Sequence, residues 1–158
     1  MQHNLSYQDN DLHLDKVNLQ ELANIYGTPC YIYSKQTIIN NFQQYTQGLD
    51  RVNSLVCYAV KANSNLSILH TLANQGAGFD VVSGGELARV LKAGARSEKI
   101  VFAGVGKSTQ EIKYALQAGI YAFNVESIAE IDRINHIAIE MGKRAPISIR
   151  VNPNIDAK

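Results

Sequence analysis

Leu55-Val56-Cys57-Tyr58-Ala59-Val60-Lys61-Ala62-Asn63-Ser64-Asn65 is the stretch on which the fold turns. Six apolar or aromatic residues run without a charge and end in one lysine, followed by a polar Ala-Asn-Ser-Asn segment. A short run of this kind, rich in Val and Tyr, reads as a strand buried on both faces. A charged residue at the carboxyl end of such a strand is where open α/β sheets and barrels place their chemistry.

Outward from this stretch the pattern repeats. Apolar runs begin near Leu55, Gly78, Ile100, Tyr121 and Ile147, at gaps of roughly 20 to 26 residues, the size of one strand-plus-helix unit. Helical spacing fills the intervals: Leu66, Leu69, Ala73; Leu87, Val90, Leu91; Ile112, Ala115, Leu116; Ile128, Ile131, Ile134, Ala138. Each helix stops at a glycine: Gly76, Gly94, Gly119 or Gly142. Three open on Ser-x-x-Glu (Ser83/Glu86, Ser108/Glu111, Ser127/Glu130), the spacing of a capping box. Alternation of strand and helix implies a parallel sheet with right-handed crossovers. An open doubly wound sheet usually carries a glycine-rich loop after its first strand. Lys-Ala-Asn-Ser-Asn has none, so the fold class expected is a partial (β/α)8 barrel, about five of eight units. Five strands alone leave two apolar edges, and the chain is therefore expected to be the N-terminal piece of a longer protein, inactive and aggregation-prone by itself.

Before the barrel, residues 1–13 are polar and aperiodic and read as a mobile arm. Asn18 with Glu21 starts a helix whose apolar face is Leu19, Leu22, Ala23 and Tyr26, stopped by Gly27 and Pro29. Cys30 to Tyr33 reads as a short strand, and Ser34 caps a helix carrying Ile38, Phe42 and Tyr45. The expected division is residues 1–50, arm and lead-in helices, and 51–158, barrel.

A net charge of +1 gives no electrostatic case for nucleic acid or an anionic membrane. No apolar stretch reaches the ~20 residues of a membrane span, and the N-terminus lacks the apolar core of a secretory signal. Cys30 and Cys57, the only cysteines, fall in apolar runs and read as buried free thiols in a reducing, cytoplasmic setting. No C-x-x-C pair suggests a metal.

The strand ends collect the polar residues: Lys61 and Asn63, Asp80 and Ser83, Gly104 and Lys107, Asn124 and Glu126, Arg150 and Asn152. Lys61, Asp80 and Arg150 are the informative set, because charges are uncommon in apolar runs unless paired. Each has a plainer reading. Lys61 could snorkel from a strand end, Asp80 could pair with it structurally, and Arg150 could hold the loop at Asn152-Pro153. Glu86 is explained by helix capping. Lys107 in Gly-Val-Gly-Lys-Ser fails the phosphate-loop pattern, since Val101 stands where its first glycine belongs. Gly76 to Val81 (GAGFDV) fails the dinucleotide fingerprint, because it precedes a strand. His70 and His136 lie on helices away from the strand ends. Chemically, a desolvated lysine is a nucleophile toward aldehydes, either in a Schiff base with a pyridoxal cofactor or as an aldolase-type amine.

Tyr58-Ala59-Val60-Lys61-Ala62-Asn63 resembles the cofactor-lysine motif of the fold-type III pyridoxal-phosphate enzymes. Gly76 to Leu87 is similar to the next motif of their amino-acid decarboxylase branch, Gly27-Thr28-Pro29 to its opening, and Arg150-Val151-Asn152-Pro153 to its fifth barrel strand. Continuation as Ser64-Asn65-Leu66 differs from the racemase branch. The resemblance implies pyridoxal 5'-phosphate as cofactor, Lys61 as the Schiff-base lysine, Asp80 and Arg150 beside the cofactor, and Glu86 as an acid near it. It implies decarboxylation of a small-molecule amino acid, meso-2,6-diaminopimelate, with ornithine or arginine as the alternative substrate and a non-catalytic relative as the alternative class. It also implies a homodimer in the full-length form. Val105 departs from the asparagine usual in the family's Gly-Asn-Gly-Lys-Ser loop.

Overall fold

The computed structural model describes residues 4–153 and 155. The first three residues of the expected arm and positions 154 and 156–158 of the final segment lie outside the described residues. The chain divides into two units, residues 1–52 and 53–158.

In the first unit the expected arm is instead a β-hairpin: β1 (Leu5–Gln8) pairs antiparallel with β2 (Asp11–Leu14), and β2 with β3 (Val17–Asn18). Asp9 and Asn10 take positive φ at its turn, the conformation that Asp and Asn tolerate best among non-glycine residues. The strands are short and only partly buried, which is why periodicity misses them. Helix α1 (Leu19–Tyr26) starts at Asn18, whose side chain accepts from the amides of Gln20 and Glu21, and ends at Gly27 with φ 79°. The strand expected at Cys30–Tyr33 does not form; this segment is irregular and Tyr31 is 93% exposed. Cys30 is exposed too, against the expectation of a buried thiol. Helix α2 (Lys35–Gly48) begins at Ser34, which accepts from the Thr37 amide. Phe42 is buried on it, whereas Tyr45 is exposed.

The second unit is a five-stranded parallel sheet in sequential order: β4 (Cys57–Ala59), β5 (Gly78–Val81), β6 (Ile100–Phe102), β7 (Ala122–Val125), β8 (Ile147–Ile149). Helices α3 (Leu66–Asn74), α4 (Gly84–Lys92), α5 (Thr109–Ala118) and α6 (Ile128–Glu140) make the crossovers. Sequential order with right-handed crossovers puts every helix on the same side of the sheet. A doubly wound sheet needs a reversal of order, and none occurs. The sheet is the N-terminal part of a (β/α)8 barrel, as expected.

The pairing register separates two faces. Phe79, Val81, Ile100, Phe102, Phe123 and Val125 point toward the helix layer and are fully buried. Phe102 and Phe123 stack with centroids 6.2 Å apart. Cys57, Ala59, Asp80, Val101, Ala103, Ala122, Asn124 and Ser148 share the opposite face, mostly small or polar, and all but the buried Ala122 are only partly covered or exposed. Consequently β4 is half-buried rather than buried on both faces. Gly78 is dictated by space: a Cβ there would lie 2.7 Å from both Cys57 Sγ and the Lys99 carbonyl.

Candidate functional site

Lys61 leaves β4 in a single 3-10 turn, Val60–Ala62, with Val60 fully buried and Lys61 exposed. The residues that follow build the turn. The Tyr58 hydroxyl donates to the Asn63 carbonyl at 3.2 Å, the Asn63 side chain accepts from the Asn65 amide at 3.0 Å, and the Asn65 side chain caps α3 by accepting from Ser67 at 2.9 Å. Asn63 and Asn65 are thus turn and cap residues, a role visible in the Asn-x-Asn spacing.

Asp80 lies opposite Ala59 and Val101 in the register, on the small-residue face. Its Oδ1 is buried and has no hydrogen-bond partner. Burial pushes the Asp80 carboxyl above its ordinary range; the charge of Lys61 pulls it back and that of Glu86 raises it further. Lys61, Asp80 and Glu86 therefore act on one another electrostatically. Among the described residues no ion pair joins Lys61 to Asp80, so the structural-pair reading of Asp80 is not what forms. Cys57, on the same face, is held above the usual thiol range by burial and then by Asp80.

A cleft of about 330 Å³ opens at the carboxyl ends of the central and last strands, lined by Asp80, Ala103, Asn124, Glu126, Ser148 and Arg150. Arg150 Nη1 lies 3.5 Å from Glu126 Oε2; the arginine side chain is 61% exposed and the glutamate 19%. Arg150 thus engages Glu126 instead of the loop at Asn152-Pro153. The structure brings Asp80 and Arg150 into the cleft, with Lys61 in electrostatic reach of Asp80.

Glu86 accepts from the Val82 amide at 2.8 Å while its own amide donates to Ser83 Oγ at 3.2 Å, so the capping reading is met. Glu130 behaves alike at α6, accepting from the Glu126 amide at 2.8 Å. Only Glu111 closes the full reciprocal box, with its own N-cap residue Ser108. The difference lies in the cap: Ser83 and Ser127 have φ −154°, Ser108 φ −75°. The more extended cap leaves the preceding amide within the carboxylate's reach.

Sequence reasoning missed the pairing of Lys107 with Glu130. Lys107 is 2% exposed and donates to the Gly104 carbonyl, the Asn124 carbonyl and Glu130 Oε1 at 2.8, 2.8 and 2.9 Å. No local spacing could find this, since the partners are 23 residues apart. His70 and His136 keep helix roles: His70 Nδ1 sits 2.9 Å from the Ala93 carbonyl, linking α3 to the end of α4, and His136 lies 3.2 Å from Glu140. Among the described residues no cluster of His, Cys, Asp or Glu could hold a metal, and no helix is long and apolar enough to cross a membrane.

Comparison with known proteins places this cleft in context. Residues 35–158 match the family model of the pyridoxal-dependent decarboxylase, pyridoxal binding domain. A diaminopimelate decarboxylase of Neisseria meningitidis serogroup B is 53% identical over 147 residues, 93% of this chain and 36% of its own length. The crystal structure of diaminopimelate decarboxylase from Helicobacter pylori complexed with L-lysine is 50% identical with TM-score 0.86, covering 89% of this chain and 36% of that one. That of the M. jannaschii enzyme is 40% identical with TM-score 0.94, covering 98% and 37%. The chain thus spans about 36% of the length of the curated relatives it matches. With a family match across most of its length, and strands and helices that superpose on the solved enzymes, the chain belongs to the pyridoxal-dependent decarboxylases, whose cofactor is pyridoxal phosphate.

Proposed function

We propose that the intact protein decarboxylates meso-2,6-diaminopimelate to L-lysine as a cytoplasmic homodimer, with residues 1–50 as lead-in and 51–158 as part of the cofactor-binding barrel. One observation carries this reading. The cleft at the strand ends holds a buried carboxylate oxygen of Asp80 with no donor, an arginine, and a lysine nearby. A buried acceptor without a donor is costly unless a ligand supplies one. Pyridoxal phosphate brings a ring nitrogen and a hydroxyl, so the described residues fit its ring and aldehyde end. Lysine bound in the H. pylori relative supports the substrate chosen.

In this reading Lys61, in electrostatic reach of Asp80, would hold the cofactor covalently through Nζ. When bound, pyridoxal phosphate would supply an electron sink for the pair left on the substrate α-carbon as carbon dioxide departs. Asp80, on whose carboxyl the charge of Lys61 acts, would offer its orphaned oxygen to a donor of the bound ring. Arg150 supplies positive charge against anionic groups, held in orientation by Glu126. Glu86 keeps its capping bond to Val82 and adds negative charge beside Asp80, stabilising a positive charge that enters. The small side chains of Ala59, Ala103 and Ala122 leave room for a flat ring above the sheet.

Borohydride reduction of the intact holoprotein followed by peptide mapping tests the anchor: the reduced pyridoxyl group is expected on Lys61, and its appearance on another lysine sinks the assignment. Lys61→Ala is expected to lower kcat at least 10³-fold. Turnover of diaminopimelate but not ornithine tests the substrate, and the reverse preference overturns it.

A further inference from the structure

Lys107 and Glu130 form an ion pair whose side chains are 0% and 4% exposed, in a position that the proposed chemistry does not use. All three ammonium donors of Lys107 are occupied, two by backbone carbonyls (Gly104 and Asn124) and one by Glu130 Oε1. The other carboxylate oxygen, Oε2, accepts from the Glu126 amide. Every donor of the ammonium and both oxygens of the carboxylate thus have a protein partner.

Its attachment points are specific. The Asn124 carbonyl and the Glu126 amide flank Val125, the last residue of β7, whose side chain is buried on the helix face. Holding both groups sets the twist of the chain at the end of β7. Asn124 and Glu126, one on each side, then both turn toward the cleft. The third attachment, Gly104, follows Ala103, another cleft-lining residue. Glu126 in turn is the partner of Arg150. Two well-packed apolar side chains could secure α6 to the sheet equally well, but they could not hold a carbonyl and an amide at fixed points.

We propose that Lys107 and Glu130 are positioning residues for the cleft, acting through the backbone of β7 on Glu126 and through Glu126 on Arg150. The proposal rests on the reading of Arg150 as a cofactor-site residue. It assigns the buried pair an effect on cofactor binding transmitted by one exposed arginine.

The test measures the dissociation constant of pyridoxal phosphate for the intact apo-protein by absorbance titration. Removing one charge alone would leave the other buried and unpaired, so the variant is paired: Lys107→Met with Glu130→Leu. The expected result is a dissociation constant raised roughly tenfold, with the same substitution adding no more than roughly twofold when Arg150→Ala is already present. An unchanged constant, or losses that multiply on the Arg150→Ala background, overturns the proposal and leaves a purely structural pair. If the paired variant does not fold, Glu126→Gln interrupts the same relay without touching the buried network. It must then show the same weakening and the same non-additivity, and its silence overturns the proposal. Failure of the underlying reading is distinguishable, because Arg150→Ala alone would then leave the constant unchanged, and the proposal would fall with it.

Discussion

Asp80 carries an unsatisfied electrostatic load in the chain as it stands. One of its oxygens is shut away from water and from any donor, and burial raises the carboxyl above its ordinary value of 3.8 despite the pull of Lys61. A group whose folded pKa is raised contributes stability below its unfolded value and loses it as pH rises through the folded value. At neutral pH the ionised Asp80 therefore weakens the fold, which is the cost of preparing a site. Asp80→Asn in the intact apo-protein is expected to raise stability at pH 7 by up to about 1 kcal/mol, discounted for partial exposure. The gain should vanish toward pH 3, and the affinity for pyridoxal phosphate should fall. Urea unfolding at the two pH values, with a cofactor titration, checks both; a destabilised Asn variant at pH 7 would refute the account.

At the scale of elements, three helices open on the same Ser-x-x-Glu words and end with different bonds. Glu111 accepts from Gly84, Ser108 N and Ser108 Oγ, and so joins the start of α5 to the start of α4. Those bonds, the Gly84 amide first, hold its carboxyl below the ordinary 4.5. Here the folded pKa is depressed. The stabilisation is full above 4.5 and drains as pH falls through the lowered folded value. Glu111→Gln is expected to cost about 1 kcal/mol at pH 7, the deficit shrinking on acidification below 4.5. Denaturant midpoints along a pH series measure it, and a deficit that does not change with pH would rule out the carboxylate as its source. Glu130, with the same local sequence, instead serves a buried lysine. The spacing specifies that a carboxylate returns to the helix start. Which amide it meets depends on the cap's φ, and what else it meets depends on the neighbouring loop.

Across the whole barrel segment, the two faces of one sheet divide the labour. Phe79, Phe102 and Phe123 fill the helix side without exposure, while small and polar residues line the other. Stability and chemistry are therefore separable. Leu69→Ala, at a fully buried position in the helix layer, is expected to cost about 2–5 kcal/mol of global stability, yet to change the cofactor dissociation constant by less than about twofold in protein that remains folded. Thermal unfolding paired with cofactor titration compares the two. Equal damage to both would show that the faces are not independent.

The barrel was legible from sequence because its signals are local. Apolar runs of strand length, helical spacing, terminal glycines and capping serines recur unit by unit, and sequential right-handed units admit one arrangement. Lys61, Asp80 and Arg150 could be singled out as candidates because a charge at the end of an apolar run stands out. The hairpin at Leu5–Leu14 was not, since its strands are four residues long and mostly exposed and leave no periodic signal. The irregular course of Cys30–Tyr33 was hidden as well, because β propensity in four residues cannot form a strand without a partner. Only the tertiary structure decided that Arg150 meets Glu126, that Asp80 keeps an orphaned oxygen, and that Lys107 is buried against Glu130. Each of these joins residues brought together by strand register and crossover, whose meeting no spacing along the chain encodes. The sequence by itself determined the units and which strand ends carry charge; the packing determined which charges share a cleft and which are shut inside.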